Sequence, residues 1–494
     1  MKKRIFAAFL AFIILFTASC AEVGIESETT ASVGCLAPNH IDTNTDGFCD
    51  FCLIALTVTV DFYAINDLHG KLLDGDSQPG ADELTSFLKS AREGDDYALF
   101  LSSGDMWQGT SESNLTRGAM MTDWMNSLGF VSMTLGNHEF DWGEEYIEAN
   151  LALADFPFLA INIYDRATDA LVEYCTPSVT VECGAATIGI IGAIGDCYSS
   201  ISGDKVKDIY FKTGDELNSL IMAESERLRA DGADFIILSI HDGSADIELS
   251  RDHVDLVFEG HTHKNYVKPD KHGVYHLQGG GDNDGIVHVE AVINVAGDES
   301  IVKTAEFISA QVYDDHPSDP IIGELMEKYA SDVAKADEVL GKNSALRGGD
   351  WLRALVARLY FEKGFAEWGS KYDIVLGGGY LSVRAPYNLS IGEVKYSDLQ
   401  SIFPFDNTLD LCSVKGKDLK AKFINTSNSN YFVYYGEYGQ SVRFDIDDNA
   451  TYYIIVDSYT SSYAPNRLTV IDSLGEGLYA RDLLAEYIKS GGLE

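Results

Sequence analysis

Five short His- and Asp-bearing motifs, each directly after a strand-like segment, constrain this chain more than any other feature. They are Asn66-Asp67-Leu68-His69-Gly70, Gly104-Asp105, Gly136-Asn137-His138-Glu139, His241-Asp242-Gly243 and Gly260-His261-Thr262-His263. Strands are predicted over Thr57–Ile65, Ala98–Ser102, Val131–Leu135, Thr187–Ile194, Phe235–Ile240 and Val254–Phe258. Helical stretches at Ala81–Arg92, Ala119–Leu128 and Gly214–Arg229 fall between several of them, the pattern of an α/β layered domain. Strand C-termini are where an open sheet gathers its functional side chains. Asp-x-His and His-x-His put alternate side chains on one side of an extended segment, so both can reach one metal. His and carboxylate donors suit zinc, manganese or iron, and two such pairs suggest two ions.

The α/β pattern closes near Gln311, and Pro320 to Val339 reads as a linking helix ahead of a second, smaller α/β unit. The expected organisation is a signal peptide over 1–19, a tether over 20–55, a metal-bearing domain over 56–312, a linker helix over 313–340 and a C-terminal domain over 341–494.

In this order, Asp-x-His, Gly-Asp, Gly-Asn-His-Glu, His and Gly-His-x-His resemble the signature of the calcineurin-like metallophosphatases. With Asp141 three residues after His138, the chain is similar to the exported two-domain 5'-nucleotidase branch. That resemblance implies a layered αββα sandwich, a linker helix and a smaller α/β substrate-binding domain that swings the nucleoside toward the metals. It also implies two divalent ions, zinc or manganese. Asp67, His69 and His263 would hold the first, Asn137, His241 and His261 the second, and Asp105 would bridge them. His138 would be the catalytic histidine and Asp141 the carboxylate that orients it. Two metals sharing a carboxylate lower the pKa of a bound water, and the hydroxide attacks phosphorus in line. The implied reaction is hydrolysis of nucleoside 5'-phosphates to nucleoside and inorganic phosphate. UDP-sugar or 2',3'-cyclic-nucleotide hydrolysis on the same scaffold is the alternative, and a non-catalytic surface binding lipoprotein is the alternative of another class.

In the C-terminal half, Phe403-Pro404-Phe405-Asp406-Asn407 resembles the family's Pro-Phe-Gly-Asn segment, in which Phe405 would stack on one face of the base. Tyr459, after a strand over Tyr453–Asp457, would stack on the other face. The run Leu376-Gly377-Gly378-Gly379 resembles the family's glycine loop but carries Leu376 where that loop has Asn, so Gly378 and Gly379 are candidate substrate contacts. Arg347, Arg384 and Arg467 are candidate phosphate arginines, through planar pairing with phosphate oxygens.

At the N-terminus, Lys2, Lys3 and Arg4 precede an apolar run from Ile5 to Phe16 that ends in Thr17-Ala18-Ser19-Cys20. This reads as an export signal, too short to span a bilayer comfortably. Its end resembles a bacterial lipobox, in which Cys20 carries a lipid. The expected location is therefore the extracytoplasmic face of a bacterial membrane, held by the N-terminal lipid only, with secretion or a periplasmic location as the alternative. Cys35, His40, Cys49 and Cys52 form a second Cys/His module that suits zinc, calcium or disulfides. Cys175 and Cys183 are placed to close a hairpin, whereas Cys197 and Cys412 read as unpaired core residues. With 77 Asp+Glu against 36 Lys+Arg, the net charge of -41 repels phosphate backbones. A nucleic-acid polymer is excluded as a partner on that ground; a small phosphate ester is not, where metals reverse the local field.

Overall fold

The computed structural model describes residue 43 and residues 47–50 and 54–493, apart from 75–78, 96, 244–248, 297–298, 385, 425–431, 437–445, 464–465 and 476–477. The signal, Cys20, and the module residues Cys35, His40 and Cys52 lie outside the described residues; Cys49 is buried.

Two six-stranded sheets pack face to face. The first runs Ile301–Ser309, Gly285–Asn294, Thr57–Ile65, Ala98–Ser102, Ser132–Thr134, Phe158–Leu159. The second runs Asn265–Pro269, Tyr275–Gly279, Leu256–Glu259, Phe235–His241, Ala186–Ile194, Ser178–Cys183. Side-chain alternation explains the layering. Thr57–Ile65 sends Val58, Val60, Phe62 and Ala64 into the core between the sheets, and Tyr63 and Ile65 to the outer face. Phe235–His241 likewise sends Phe235 and Ile237 inward, and Ile236, Leu238 and Ile240 outward. Helices Ala81–Arg92 and Ala119–Leu128 cover the first outer face, and Asp215–Ala230 covers the second. Strands buried on both faces have no polar side to mark their period, which is why they read as continuous apolar runs. The result is the αββα sandwich.

The strands that precede the five motifs pair in parallel within each sheet, so their C-terminal ends emerge along one edge. Sequence reading did not mark the antiparallel pair Gly285–Asn294 and Ile301–Ser309, whose register shifts at Glu290/Ala291.

The C-terminal part is built on a five-stranded mixed sheet in the order Val433–Gly436, Ile374–Gly379, Thr451–Asp457, Leu409–Lys415, Thr469–Leu474. Helices Gly349–Trp368 and Ala480–Lys489 pack on one face of it. The stretch expected to be a single linking helix is instead Ile321–Lys328, Ala330–Val333 and the tight turn Ala334–Asp337. The break falls at Tyr329, whose backbone leaves helical geometry while its hydroxyl donates to Asp123 (2.6 Å). The hairpin disulfide is also corrected: Cys175 and Cys183 are free buried thiols. Cys175 packs in the outer core with its thiol on the Ala160 carbonyl, and Cys183 packs in the core between the sheets, so the two belong to different layers.

Candidate active site

The loops after the parallel strands turn sharply, and five of the candidate metal donors make the turns themselves. Asp67, His69, Asp105, His261 and His263 all hold positive φ, from 50° to 72°. Asp and His visit this region more readily than bulky residues, and non-glycine residues held there cluster at functional sites. Gly136 has a different reason: a Cβ there would lie 2.3 Å from Asp105 Oδ1. Glu139, fully buried, ties two of the loops together by accepting from the backbone N–H groups of Asp105 (2.9 Å), Met106 (2.9 Å) and Gly136 (2.8 Å). Burial, and after it the Asp105 carboxylate, push Glu139 up to about 7. It was visible in its motif, but nothing in its spacing marked it as the brace.

Three overlapping groups of ligand atoms result, each with its members within 4.8 Å of one another: Asp67, His69 and His263; Asp67, Asp105 and His241; and Cys197, His241 and His261. Asp67 belongs to two of them. Its Oδ1 lies 3.4 Å from His263 Nε2 and 3.9 Å from the Nε2 atoms of His69 and His241. Asp105 Oδ2 lies 3.0 Å from His241 Nε2.

The histidines are oriented from behind. His69 Nδ1 donates to the Gln108 carbonyl (2.7 Å) and His241 Nδ1 to the Ser103 carbonyl (2.6 Å), which leaves each Nε2 with its lone pair toward the cluster. Asp67 Oδ2 is held by Asn66 Nδ2 (2.7 Å) and the His261 N–H (2.8 Å). Asp67 Oδ1, Asn137 Oδ1 and His241 Nε2 are buried without a hydrogen-bond partner among the described residues. Buried polar atoms left unpaired are costly. Two of them, Asp67 Oδ1 and His241 Nε2, lie 3.9 Å apart among carboxylates and imidazoles, which fits a divalent cation.

Beside the cluster, His138 Nδ1 donates to Asp141 Oδ2 (2.9 Å), and Arg384 Nη2 reaches its Nε2 (3.2 Å). Burial opposes a charge on this ring, yet the Asp141 and Asp105 carboxylates outweigh it and raise its pKa above the ordinary histidine value. Phe405 stacks on the same ring, with centroids 5.9 Å apart. A cavity of about 250 Å³ opens here, lined on the sandwich side by Asn137, His138 and His261 and on the C-terminal side by Arg384, Phe405 and Tyr459.

Other sequence candidates lie elsewhere. Arg347 stacks on Trp351 (4.4 Å) and does not line the cavity. Gly378 and Gly379 do not line it either: a Cβ would lie 2.3 Å from the Val433 carbonyl oxygen or 2.2 Å from Asp457 Oδ2, so these glycines allow close packing within the sheet. Arg467 is exposed and 3.6 Å from Asp418. Sequence reading missed Asp406, which pairs with the buried Arg481 and, across the two halves, with Arg117. It also missed that Cys197 stands beside the histidines. Both signals are non-local.

Residues 60–265 match the family model described as calcineurin-like phosphoesterase. Among curated relatives, an apyrase of Tabanus yao is 27% identical over 405 residues, covering 73% of this chain and 72% of its own. A probable 5'-nucleotidase of Treponema pallidum (strain Nichols) is 26% identical over 401 residues, covering 65% of each chain. The crystal structure of a 5'-nucleotidase precursor from Thermus thermophilus superposes with a TM-score of 0.68 at 19% identity, covering 88% of this chain and 96% of its own. Over residues 60–265 the sandwich is thus similar to the calcineurin-like phosphoesterases. The chain is a metal-dependent phosphoesterase, homologous to the two-domain 5'-nucleotidases.

Proposed function

We propose that the chain hydrolyses nucleoside 5'-phosphates to nucleoside and inorganic phosphate, using two divalent ions. One observation carries this: a single cavity joins the metal-donor cluster and His138 to an arginine and two half-buried aromatic rings. The similarity to an apyrase and to 5'-nucleotidases supports the same substrate class. Asp67, His69 and His263 would hold one ion, and Asn137, His241 and His261 the other, with Asp105 between them. Bound there, the ions supply an activated nucleophile from water and offset phosphoryl charge.

The rest is work for the protein's own residues. Arg384 is positioned to pair with the phosphate through its planar donors. As it turns to the phosphate it frees His138 Nε2, which then takes up a proton from solvent, the Asp141 and Asp105 carboxylates favouring the charged ring, and passes it to the leaving oxygen. Asp141 fixes the ring from the far side. Phe405 and Tyr459 offer flat faces that suit any nucleobase.

The test is phosphate release from AMP, ATP, UDP-glucose, a 2',3'-cyclic nucleotide and a sugar phosphate, with chelator and with manganese or zinc restored. Activity confined to nucleotides, abolished by chelator and recovered with metal, is the expected result. Activity on the sugar phosphate alone would sink the nucleotide reading, and silence across the panel with metals bound would point to a surface binding protein.

Phe405→Ala should raise KM for AMP by about 5- to 150-fold, from a stacking contribution of roughly 1–3 kcal/mol. Turnover of p-nitrophenyl phosphate, which has no base to stack, should stay near the parent value. Equal losses on both substrates would mean that the ring only supports His138.

A further inference from the structure

Cys197 sits on the turn Asp196–Ser200, directly after the strand Ala186–Ile194 and at the rim of the donor cluster. The turn is strapped to the His241 segment: the Gly195 N–H donates to the His241 carbonyl (3.2 Å), and the Asp196 N–H donates to Asp242 Oδ2 (2.7 Å). Gly195 is needed for this approach, since a Cβ there would lie 2.1 Å from Asp242 Oδ2. The Cys197 thiol, itself buried, donates to the His241 carbonyl (2.7 Å). Its Sγ and one ring nitrogen each of His241 and His261 lie within 4.8 Å of one another. A second observation points to a ligand: His241 Nε2, fully buried and with its lone pair turned to the cluster by the Nδ1 bond to Ser103, lies 3.0 Å from Asp105 Oδ2 and 3.9 Å from Asp67 Oδ1 without a hydrogen bond to either.

Resting on the two-ion reading above, we infer that Cys197 is a ligand of the second ion, as a thiolate beside His241 and His261. Binding breaks the S–H bond and forms a sulfur–metal bond. The proton now shared with the His241 carbonyl passes to solvent, and no oxidation state changes. A dication at that point deprotonates a coordinating thiol outright. The consequence is metal choice: thiolate is a soft donor that favours zinc over manganese, whereas a set of imidazole, amide and carboxylate donors accommodates both.

Cobalt(II) as probe separates the outcomes. The mature chain is stripped, reloaded with cobalt, counted for bound metal and examined by optical absorption. A thiolate-to-cobalt charge-transfer band in the near ultraviolet is expected, lost in Cys197→Ser and kept in Cys175→Ser. The spectra are recorded in a chain whose Cys35, Cys49 and Cys52 are replaced by serine, since that module offers cobalt thiolates of its own, and there the presence or absence of the band decides the matter even where Cys197→Ser folds poorly. Two bound cobalt ions without that band would overturn the Cys197 assignment while sparing the two-ion reading; failure to retain cobalt at all would overturn the two-ion reading itself. In competition, Cys197→Ser should weaken zinc by at least the roughly tenfold that loss of an outer-shell partner costs, with manganese little changed. Equal loss of both metals would count against the sulfur ligand.

Discussion

An Asp67→Asn chain should lose phosphate release by at least about 10³-fold and retain less than the parent's complement of metal. Asp67 is fully buried and is the carboxylate common to two of the ligand groups. Its Oδ2 already accepts from Asn66 and from the His261 N–H. An asparagine can keep those two bonds with its amide oxygen, so the loops stay in place. Its NH₂ then occupies the Oδ1 position, among the Nε2 atoms of His69, His241 and His263, and presents donors where a cation needs a lone pair. The variant thus separates lost chemistry from lost fold. Metal content, turnover and the thermal transition measured on one preparation check it, and parent-like turnover would remove Asp67 from the metal centre.

His138→Ala makes the complementary case, because it should leave the metals in place. The imidazole lies outside the three ligand groups and faces Asp141, Arg384 and Phe405 instead. A positioned proton donor contributes about 10²- to 10⁴-fold, so kcat should fall by that factor with metal content unchanged. The loss should be larger for substrates with poor leaving groups, since those depend most on protonation, and smaller for p-nitrophenyl phosphate. A fall in metal content would recast His138 as a ligand. An unchanged kcat with the ring gone would leave the catalytic assignment without support. The two variants also divide an enzyme from a binding protein, which has no use for the His138–Asp141 pair.

Much of the sandwich was legible because its strands are short-range features. Thr57–Ile65 and Ala98–Ser102 were placed to the residue, and the helices Ala81–Arg92 and Ala119–Leu128 likewise, since apolar periodicity is written along a single element. Gly285–Asn294 and Ile301–Ser309 escaped notice although each is long. They carry none of the motifs, and their partners are a hairpin neighbour and a strand from the far end of the domain. The arginines show the same limit. Arg347, Arg384 and Arg467 were equivalent as sequence, and only packing put Arg384 in the cavity, Arg347 on Trp351 and Arg467 in solvent.

By itself, then, the sequence set out the candidate donors of the five motifs and their order. Each motif is a strand end followed by a turn that Asp, His or Gly can make, and both are local properties of the backbone. Only the tertiary structure decided what those donors meet. Arg384 reaches His138 across 246 residues of chain, and Cys197 joins the histidines through a turn strapped to another strand. Contacts of that span depend on how whole layers pack, which no run of neighbouring residues encodes.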